Sequence, residues 1–340
     1  MARNLLPETI VDKQNKVRIF AGIFGAAGAG LFIWIIWTSH PSAILALFVA
    51  ARWRLLAVVG YHAVPLFLDA VAWLYLFPGK PRPRLLDLYW MRWIGESVSN
   101  MLPSLQIGGD LVRARMVVIH GDANTSTAAA SVLIDITLSI FTQTLFTIAG
   151  LSLLLVASRA FSVGRMAAGV VGVLLALAGF YAVQRIGIFR FIGALVSRIG
   201  GGTEWSSLAE KGEELDDATR SLYQRPRLLC ASATATLASW VLGAGEVLLS
   251  LWALHQPVNL STAFIYESVG QAIEAGLFFV PGALGVQEGA YLGVGKLLGL
   301  PVEVALALAL IRRARELSFG IPGVIAWQII ETRRAWRVRS

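Results

Sequence analysis

The sequence predicts an all-α polytopic membrane protein, and three observations lead to this fold class. Of 340 residues, 56% are hydrophobic and only 15% are charged, with a mean hydropathy of +0.67. A soluble protein carries about 25% charged residues. The apolar residues form long runs, and the basic residues lie mostly in the segments between these runs. The net charge of +8 therefore indicates membrane topology, and no nucleic-acid partner is expected.

Six apolar runs approach or exceed the ~20 residues that a membrane span needs. The polar first 18 residues and the length of the first run argue against a cleavable signal peptide. The predicted spans are about 19–37, 55–77, 126–156, 166–184, 228–254 and 302–330. Lys and Arg are abundant at both ends of the chain and in the segments 78–92 and 185–227, which places the termini and these loops, including the long loop 185–227, in the cytoplasm.

Two further apolar segments are interrupted by proline and glycine. The stretch 278–289 contains Pro281, Gly282 and two more glycines within twelve residues, and the segment around Pro103 resembles it. Such a break frees backbone N–H and C=O groups, which is tolerated at membrane depth only inside protein or beside water. We therefore expect two re-entrant helical hairpins, about 94–119 from the cytoplasm and about 264–300 from the opposite side.

The chain is predicted to be a single integral membrane domain, 1–340, built from an inverted repeat. Residues 17–160 form the first repeat and 165–331 the second. Aligning Pro103 with Pro281 brings acidic or charged residues into matching or nearly matching positions: Glu96 with Glu274, Asp110 with Glu288, Asp135 with Arg313, and Asp69 with Glu246. A rival alignment sets 96–98 on 267–269. Paired broken segments in inverted repeats are typical of secondary transporters.

Ionisable residues within apolar segments are the candidate site, because each costs ~2.5–3.5 kcal/mol to insert. The predicted substrate-binding or translocation residues, with their neighbours at the breaks, are Glu96, Asn100, Gly108, Gly109, Asp110, Arg113, Asp135, Glu246, Glu274, Gly285, Glu288, Arg312, Arg313 and Glu316. Pro103, Pro281 and Gly282 are predicted hinges. Two alternatives remain open: the charges only pair with each other to hold the bundle together, and Asp110 and Glu288 only cap helix N-termini.

Several kinds of site are not expected. The single Cys230 and the scattered histidines provide no metal-ligand spacing, so no metal or cofactor is predicted. No nucleophile arrangement points to catalytic residues of a hydrolase.

Two sequence signatures carry a family resemblance. Asn100-x-x-Pro103 followed by Gly108-Gly109-Asp110-x-x-Arg113, and the run from Pro281 to Glu288, resemble the flippase-like family typified by the transmembrane region of lysylphosphatidylglycerol synthases. Within it, the runs 312–316 and 320–323 are similar to the branch associated with hopanoid biosynthesis. The resemblance implies translocation of a lipid between leaflets of a bacterial inner membrane.

The sequence thus favours a lipid flippase with a central charged cavity. Arg113, Arg312 and Arg313 would contact the headgroup, and the carboxylates would bind an amine or hydroxyl groups or carry coupling protons. Two alternatives are a membrane-embedded enzyme that modifies a lipid headgroup and a non-catalytic scaffold for lipid-biosynthesis enzymes. The sequence does not specify the lipid, the direction of transport, the energy source or the oligomeric state.

Overall fold

The computed structural model describes residues 41–79, 82–101, 107–120, 123–158, 203–257, 259–276 and 285–339, and within them the chain forms helices and no strands. The predicted spans 19–37 and 166–184 lie outside the described residues. So do the predicted hinges Pro103, Pro281 and Gly282. The described helices are α1 Pro41–Ala51, α2 Arg54–Tyr61, α3 Ala63–Leu74, α4 Leu85–Met101, α5 Ile107–His120, α6 Thr125–Ser158, α7 Thr203–Tyr223, α8 Pro226–Ala253, α9 Leu260–Gly276, α10 Val286–Leu298 and α11 Val302–Arg339.

Three of the predicted spans are confirmed as helical segments long and apolar enough to cross a membrane. They are Arg54–Leu74, which comprises α2 and α3, Thr125–Leu154 in α6, and Pro226–Ala253, which is α8. The last predicted span lies within α11, whose 38 residues correspond to a length of about 57 Å. Charged residues interrupt its apolar character midway.

Local sequence accounts for several helix starts. The Asn124 side chain accepts a hydrogen bond from the Thr127 N–H at 2.8 Å, and the Asn259 side chain accepts one from the Ser261 N–H at 2.9 Å. These asparagines cap α6 and α9. Pro226 opens α8, where its missing N–H leaves no donor unpaired.

The two predicted hairpin regions are pairs of packed helices. In the first, α4 packs on α5, and Gly95 and Gly109 meet so closely that a Cβ on Gly109 would lie 1.9 Å from the Gly95 carbonyl oxygen. In the second, α9 packs on α10. The first pair begins at Leu85, nine residues before the predicted boundary. Entry of the hairpins from opposite sides of the membrane stays a prediction, as does the inverted repeat.

The predicted cytoplasmic loop 185–227 contains helix α7. It packs along α6, buries Asp216, Thr219 and Leu222, and its Glu214 accepts a 2.7 Å hydrogen bond from Ser126. This part of the loop is therefore a helix docked on a membrane span.

Most of the buried apolar side chains among the described residues fall into two large clusters. One cluster surrounds Leu251, Tyr266 and Tyr291, and the other surrounds Trp73 and Met91. Helices α6, α8 and α11 each contribute residues to both clusters. In α8 and α11 charged residues lie between the residues of the two clusters, whereas Asp135 in α6 lies among the residues of the second cluster. Buried charges therefore stand next to apolar packing in all three helices.

Candidate functional site

A cavity of about 400 Å³ is lined by many of these buried charged residues. Its walls come from the α2–α3 junction and from α3, α4, α5, α6, α8, α9 and α11. Among the described residues that line it are eight carboxyl groups, four guanidinium groups and one imidazole: Asp69, Glu96, Asp110, Asp135, Glu246, Glu267, Glu274, Glu316, Arg92, Arg113, Arg312, Arg315 and His62. Carboxyl groups therefore outnumber cations in the wall.

Asp135 on α6 is the centre of the first ion-pair group. Arg92 Nη1 and Arg113 Nη1 each donate to Asp135 Oδ2 at 2.5 Å, and Arg113 also pairs with Asp110 at 2.8 Å. Arg92 lies 3.7 Å from Asp69 on α3. Because Asp135 is buried, two charge-assisted partners offset the cost of removing it from water. The group ties α3, α4, α5 and α6 together around the cavity.

Arg312 on α11 is the centre of the second group. Its Nη1 donates to Glu267 Oε2 at 2.9 Å, and its other nitrogens lie 3.7 Å from Glu274 and 3.5 Å from Glu316. Tyr291 on α10 contributes its hydroxyl oxygen at 3.3 Å from Nη1. One buried arginine thus faces three carboxyl groups, of which Glu316 also pairs with Arg313.

His62 forms the third group at the junction between α2 and α3. Its Nε2 lies 3.0 Å from Glu96 on α4, and its Nδ1 lies 3.3 Å from Glu246 on α8. Arg315 Nε donates to Glu246 at 2.9 Å, and its Nη1 lies 3.7 Å from Glu96. An imidazole with a carboxylate at each nitrogen donates to both only in its protonated form. The group joins two membrane spans to α4 and α11.

Nine of the seventeen predicted residues line this cavity: Glu96, Asn100, Asp110, Arg113, Asp135, Glu246, Glu274, Arg312 and Glu316. Gly108, Gly109, Gly285, Glu288 and Arg313 do not. Gly109 instead allows the close approach of α5 to α4. Arg313 pairs with Glu288 at 3.3 Å and with Glu316 at 3.1 Å. Pairing among the charges, including Arg312 with Glu316 in one helix, is therefore extensive.

Glu288 caps helix α10. Gly285 precedes the helix with φ of +74°, and its N–H donates to Glu288 Oε2 at 2.8 Å. The side chain is fully buried, so the capping alternative describes it well. The N-terminal end of α10 is therefore occupied by the chain's own carboxylate. Asp110, in contrast, bonds to Arg113 in the first turn of α5 and is 29% exposed.

Sequence reasoning missed five charged residues of the wall: His62, Asp69, Arg92, Glu267 and Arg315. The assignment of Arg92 to a cytoplasmic loop was wrong, because α4 begins at Leu85 and carries Arg92 to the buried Asp135. His62 and Asp69 are seven residues apart in one apolar span, a spacing that places them on one helix face. The rival repeat alignment, which sets 96–98 on 267–269, places Glu267 opposite Glu96 and so pointed to this residue.

A stripe of polar side chains along α6, formed by Ser131, Asp135, Ser139 and Thr142, divides between two roles. Asp135 and Ser139 line the cavity. Ser131 accepts a hydrogen bond from the Trp73 indole at 3.1 Å, and Thr142 accepts one from the Trp240 indole at 3.2 Å. The stripe therefore combines cavity residues with residues that satisfy buried tryptophans.

Comparison with known proteins identifies a family. The model of the lysylphosphatidylglycerol synthase TM region matches residues 19–323, which is most of the chain and includes every charged residue of the cavity. No curated protein and no solved structure matches the chain. The chain therefore belongs to the family of the lysylphosphatidylglycerol synthase TM region.

Proposed function

We propose that this protein moves a polar-headed lipid, a hopanoid or a phospholipid, between the leaflets of a bacterial inner membrane. The observation that carries the proposal is the cavity whose wall gathers charged residues from apolar helices of the bundle. A polar headgroup crosses hydrocarbon at high cost, and a cavity of this kind replaces water with fixed polar partners along that path. The lipid tail stays in the surrounding bilayer.

The size of the cavity supports transfer of the headgroup alone. Small-molecule sites are typically about 300–1,000 Å³, so a cavity of about 400 Å³ lies near the lower end of this range. A polar headgroup fits within this volume, and the proposal leaves the lipid tail in the surrounding bilayer.

The charge of the wall favours a headgroup that offers ammonium or hydroxyl donors. Each arginine of the wall already faces at least one carboxylate, whereas the carboxylates are in excess. Glu96 and Asp110 are 30% and 29% exposed, while Asp135 is 3% exposed. We assign substrate contact to Glu96 and Asp110, together with Glu274, one of whose oxygens has no hydrogen-bond partner within the described residues. Asp135 and the arginines hold the walls in place.

Reconstitution into liposomes tests the proposal. Purified protein is combined with labelled phospholipid and hopanoid candidates, and exchange between leaflets is measured with and without a proton gradient. Asp110→Asn and Glu96→Gln are expected to slow exchange about tenfold if each loses one charge-assisted hydrogen bond to the headgroup. Glu331→Gln is the matched control, since Glu331 is also 29% exposed and paired with an arginine, Arg115, away from the cavity.

Two results would contradict transport. The first is an exchange rate equal to that of empty liposomes for every candidate lipid. The second is a lipid whose headgroup changes mass in the presence of the protein while its leaflet distribution stays unchanged, which would assign the cavity to headgroup modification.

A further inference from the structure

A second cavity lies at one end of the bundle and shares no lining residue with the charged cavity. It has a volume of about 580 Å³ and is formed by the end of α1, the turn that follows it, the first residue of α2, and His255, two residues after the end of α8. We call it the Arg52–His255 pocket, after two of the basic residues that line it. Trp53 and Arg54 are its other large side chains, and the remainder of the lining is alanine and valine.

The pocket lies at the end of two membrane spans. One span begins at Arg54, and the other ends at Ala253, two residues before His255. Trp53 and Trp252 stand edge to face with ring centroids 6.1 Å apart, and their side chains are 66% and 40% exposed. Exposed tryptophans at the ends of spans mark the level of the lipid headgroups. We therefore expect this pocket to lie at the depth of the lipid headgroups.

The charge of the pocket is opposite to that of the central cavity. Its described lining contains Arg52, Arg54 and His255 and no carboxylate. Arg54 Nη1 contacts both ring nitrogens of His255, and its guanidinium lies 5.0 Å above the Trp252 ring. Arg54 Nε is buried and has no hydrogen-bond partner within the described residues. Closely spaced basic groups with no acid in the wall suit a bound anion.

The backbone of the pocket supports a binding role. Among the described residues, Arg52 and His255 are the non-glycine positions with positive φ, at +47° and +56°. This conformation is unfavourable for residues with a Cβ and persists where the surrounding structure requires it, often at ligand sites. Both strained positions are basic, and both line the same pocket although they are 203 residues apart.

We propose that the Arg52–His255 pocket binds the phosphate of an anionic phospholipid at the membrane surface. A phosphate without a neighbouring ammonium matches a wall of basic groups, and Trp53 and Trp252 pack against the glycerol and upper acyl region. On the topology expected from the basic loops, this surface faces away from the cytoplasm. The site is separate from the central cavity, and the proposal does not depend on lipid transport.

Lipid binding to the purified full-length chain tests this site. The chain in neutral detergent is titrated with phosphatidylglycerol, phosphatidylcholine or inorganic phosphate, and bound molecules are counted by native mass spectrometry. Arg52→Asn and His255→Asn remove basic groups while keeping a residue that tolerates positive φ. Each is expected to weaken phosphatidylglycerol binding about tenfold, and Arg52→Lys is expected to retain it.

Arg225→Gln is the matched control, because Arg225 is an exposed arginine at the opposite end of α8. Preserved phosphatidylglycerol binding in that variant, together with loss in Arg52→Asn and His255→Asn, supports the site. The proposal is overturned if the asparagine variants bind phosphatidylglycerol like the parent chain. It is also overturned if Arg225→Gln lowers binding equally, or if inorganic phosphate binds while phosphatidylglycerol shows no preference over phosphatidylcholine. Circular dichroism verifies that each variant keeps its helical content.

Discussion

Asp110 in the α4–α5 hairpin is 29% exposed and lies in the cavity wall, whereas Glu288 in the α9–α10 hairpin is fully buried and is not part of that wall. The two carboxylates lie at the same sequence distance after a proline. Asp110 has Arg113 one turn later in its own helix, so it pairs there and keeps surface in the cavity. Glu288 instead accepts the N–H of Gly285 and an N–H of Arg313. The difference teaches that the donors near a carboxylate decide its role, and not its distance in sequence from a proline.

The glycines of the two hairpins differ in the same way. Gly109 in α5 stands against the backbone of α4, whereas a Cβ on Gly289 in α10 would meet nothing within 4 Å. One hairpin requires glycine for close helix packing, and the other has a glycine at a position with open space. The following predictions test the contrast between the hairpins.

The largest effect on stability is expected from Glu288→Gln. Removing one partner of a buried charge pair costs about 3–5 kcal/mol, and the lower end applies because Arg313 keeps Glu316. The measurement is unfolding in mixed detergent micelles followed by circular dichroism. A loss below about 1 kcal/mol would contradict the structural role of Glu288.

A smaller loss, about 1–3 kcal/mol, is expected from Gly109→Ala. The added Cβ would lie 1.9 Å from the Gly95 carbonyl oxygen and 2.3 Å from Ser99 Oγ, so α4 and α5 must separate. The same unfolding measurement applies, with Gly289→Ala as the control. Equal stability of Gly109→Ala and the parent chain would show that the two helices pack less tightly than described.

Asp110→Asn is expected to change stability by about 1 kcal/mol or less, because Arg113 keeps its bond to Asp135 and Asp110 is partly exposed. The rate at which this variant exchanges lipid between leaflets should nevertheless fall. Substituting a carboxylate with a purely structural role would instead lower stability. Unfolding and leaflet exchange are measured on the same preparation. Full exchange activity would remove Asp110 from the translocation path.

The smallest change is expected from Gly289→Ala, which should stabilise the protein by up to about 1 kcal/mol. Alanine lowers the conformational freedom of the unfolded chain and favours helix, and the position has open space. A destabilisation similar to that of Gly109→Ala would mean that another part of the chain or a lipid packs against this face of α10.

Composition and local pattern predicted the membrane class, three of the spans and much of the site. The cost of placing charge in an apolar segment identifies residues such as Glu96 and Glu246 from the sequence, because that cost depends on the local segment alone. The same reasoning missed His62, because the histidines were weighed only as metal ligands and their spacing excludes that role. It misplaced Arg92, since charge near a span end resembles a topology signal.

The sequence by itself determined that charged groups lie within apolar helical segments and must be sheltered inside a membrane bundle. Hydropathy is a sum over neighbouring residues, so the sequence alone is enough to identify such segments. Tertiary structure alone decided which charges meet. Arg315 reaches Glu246 and His62 from 69 and 253 residues away, and Glu288 turns to its own helix end. It also brought Arg52 and His255 into one basic pocket. Which charged residues pair depends on distances of a few ångströms between helices that are far apart in the sequence. A sum of hydropathy over neighbouring residues does not contain these distances.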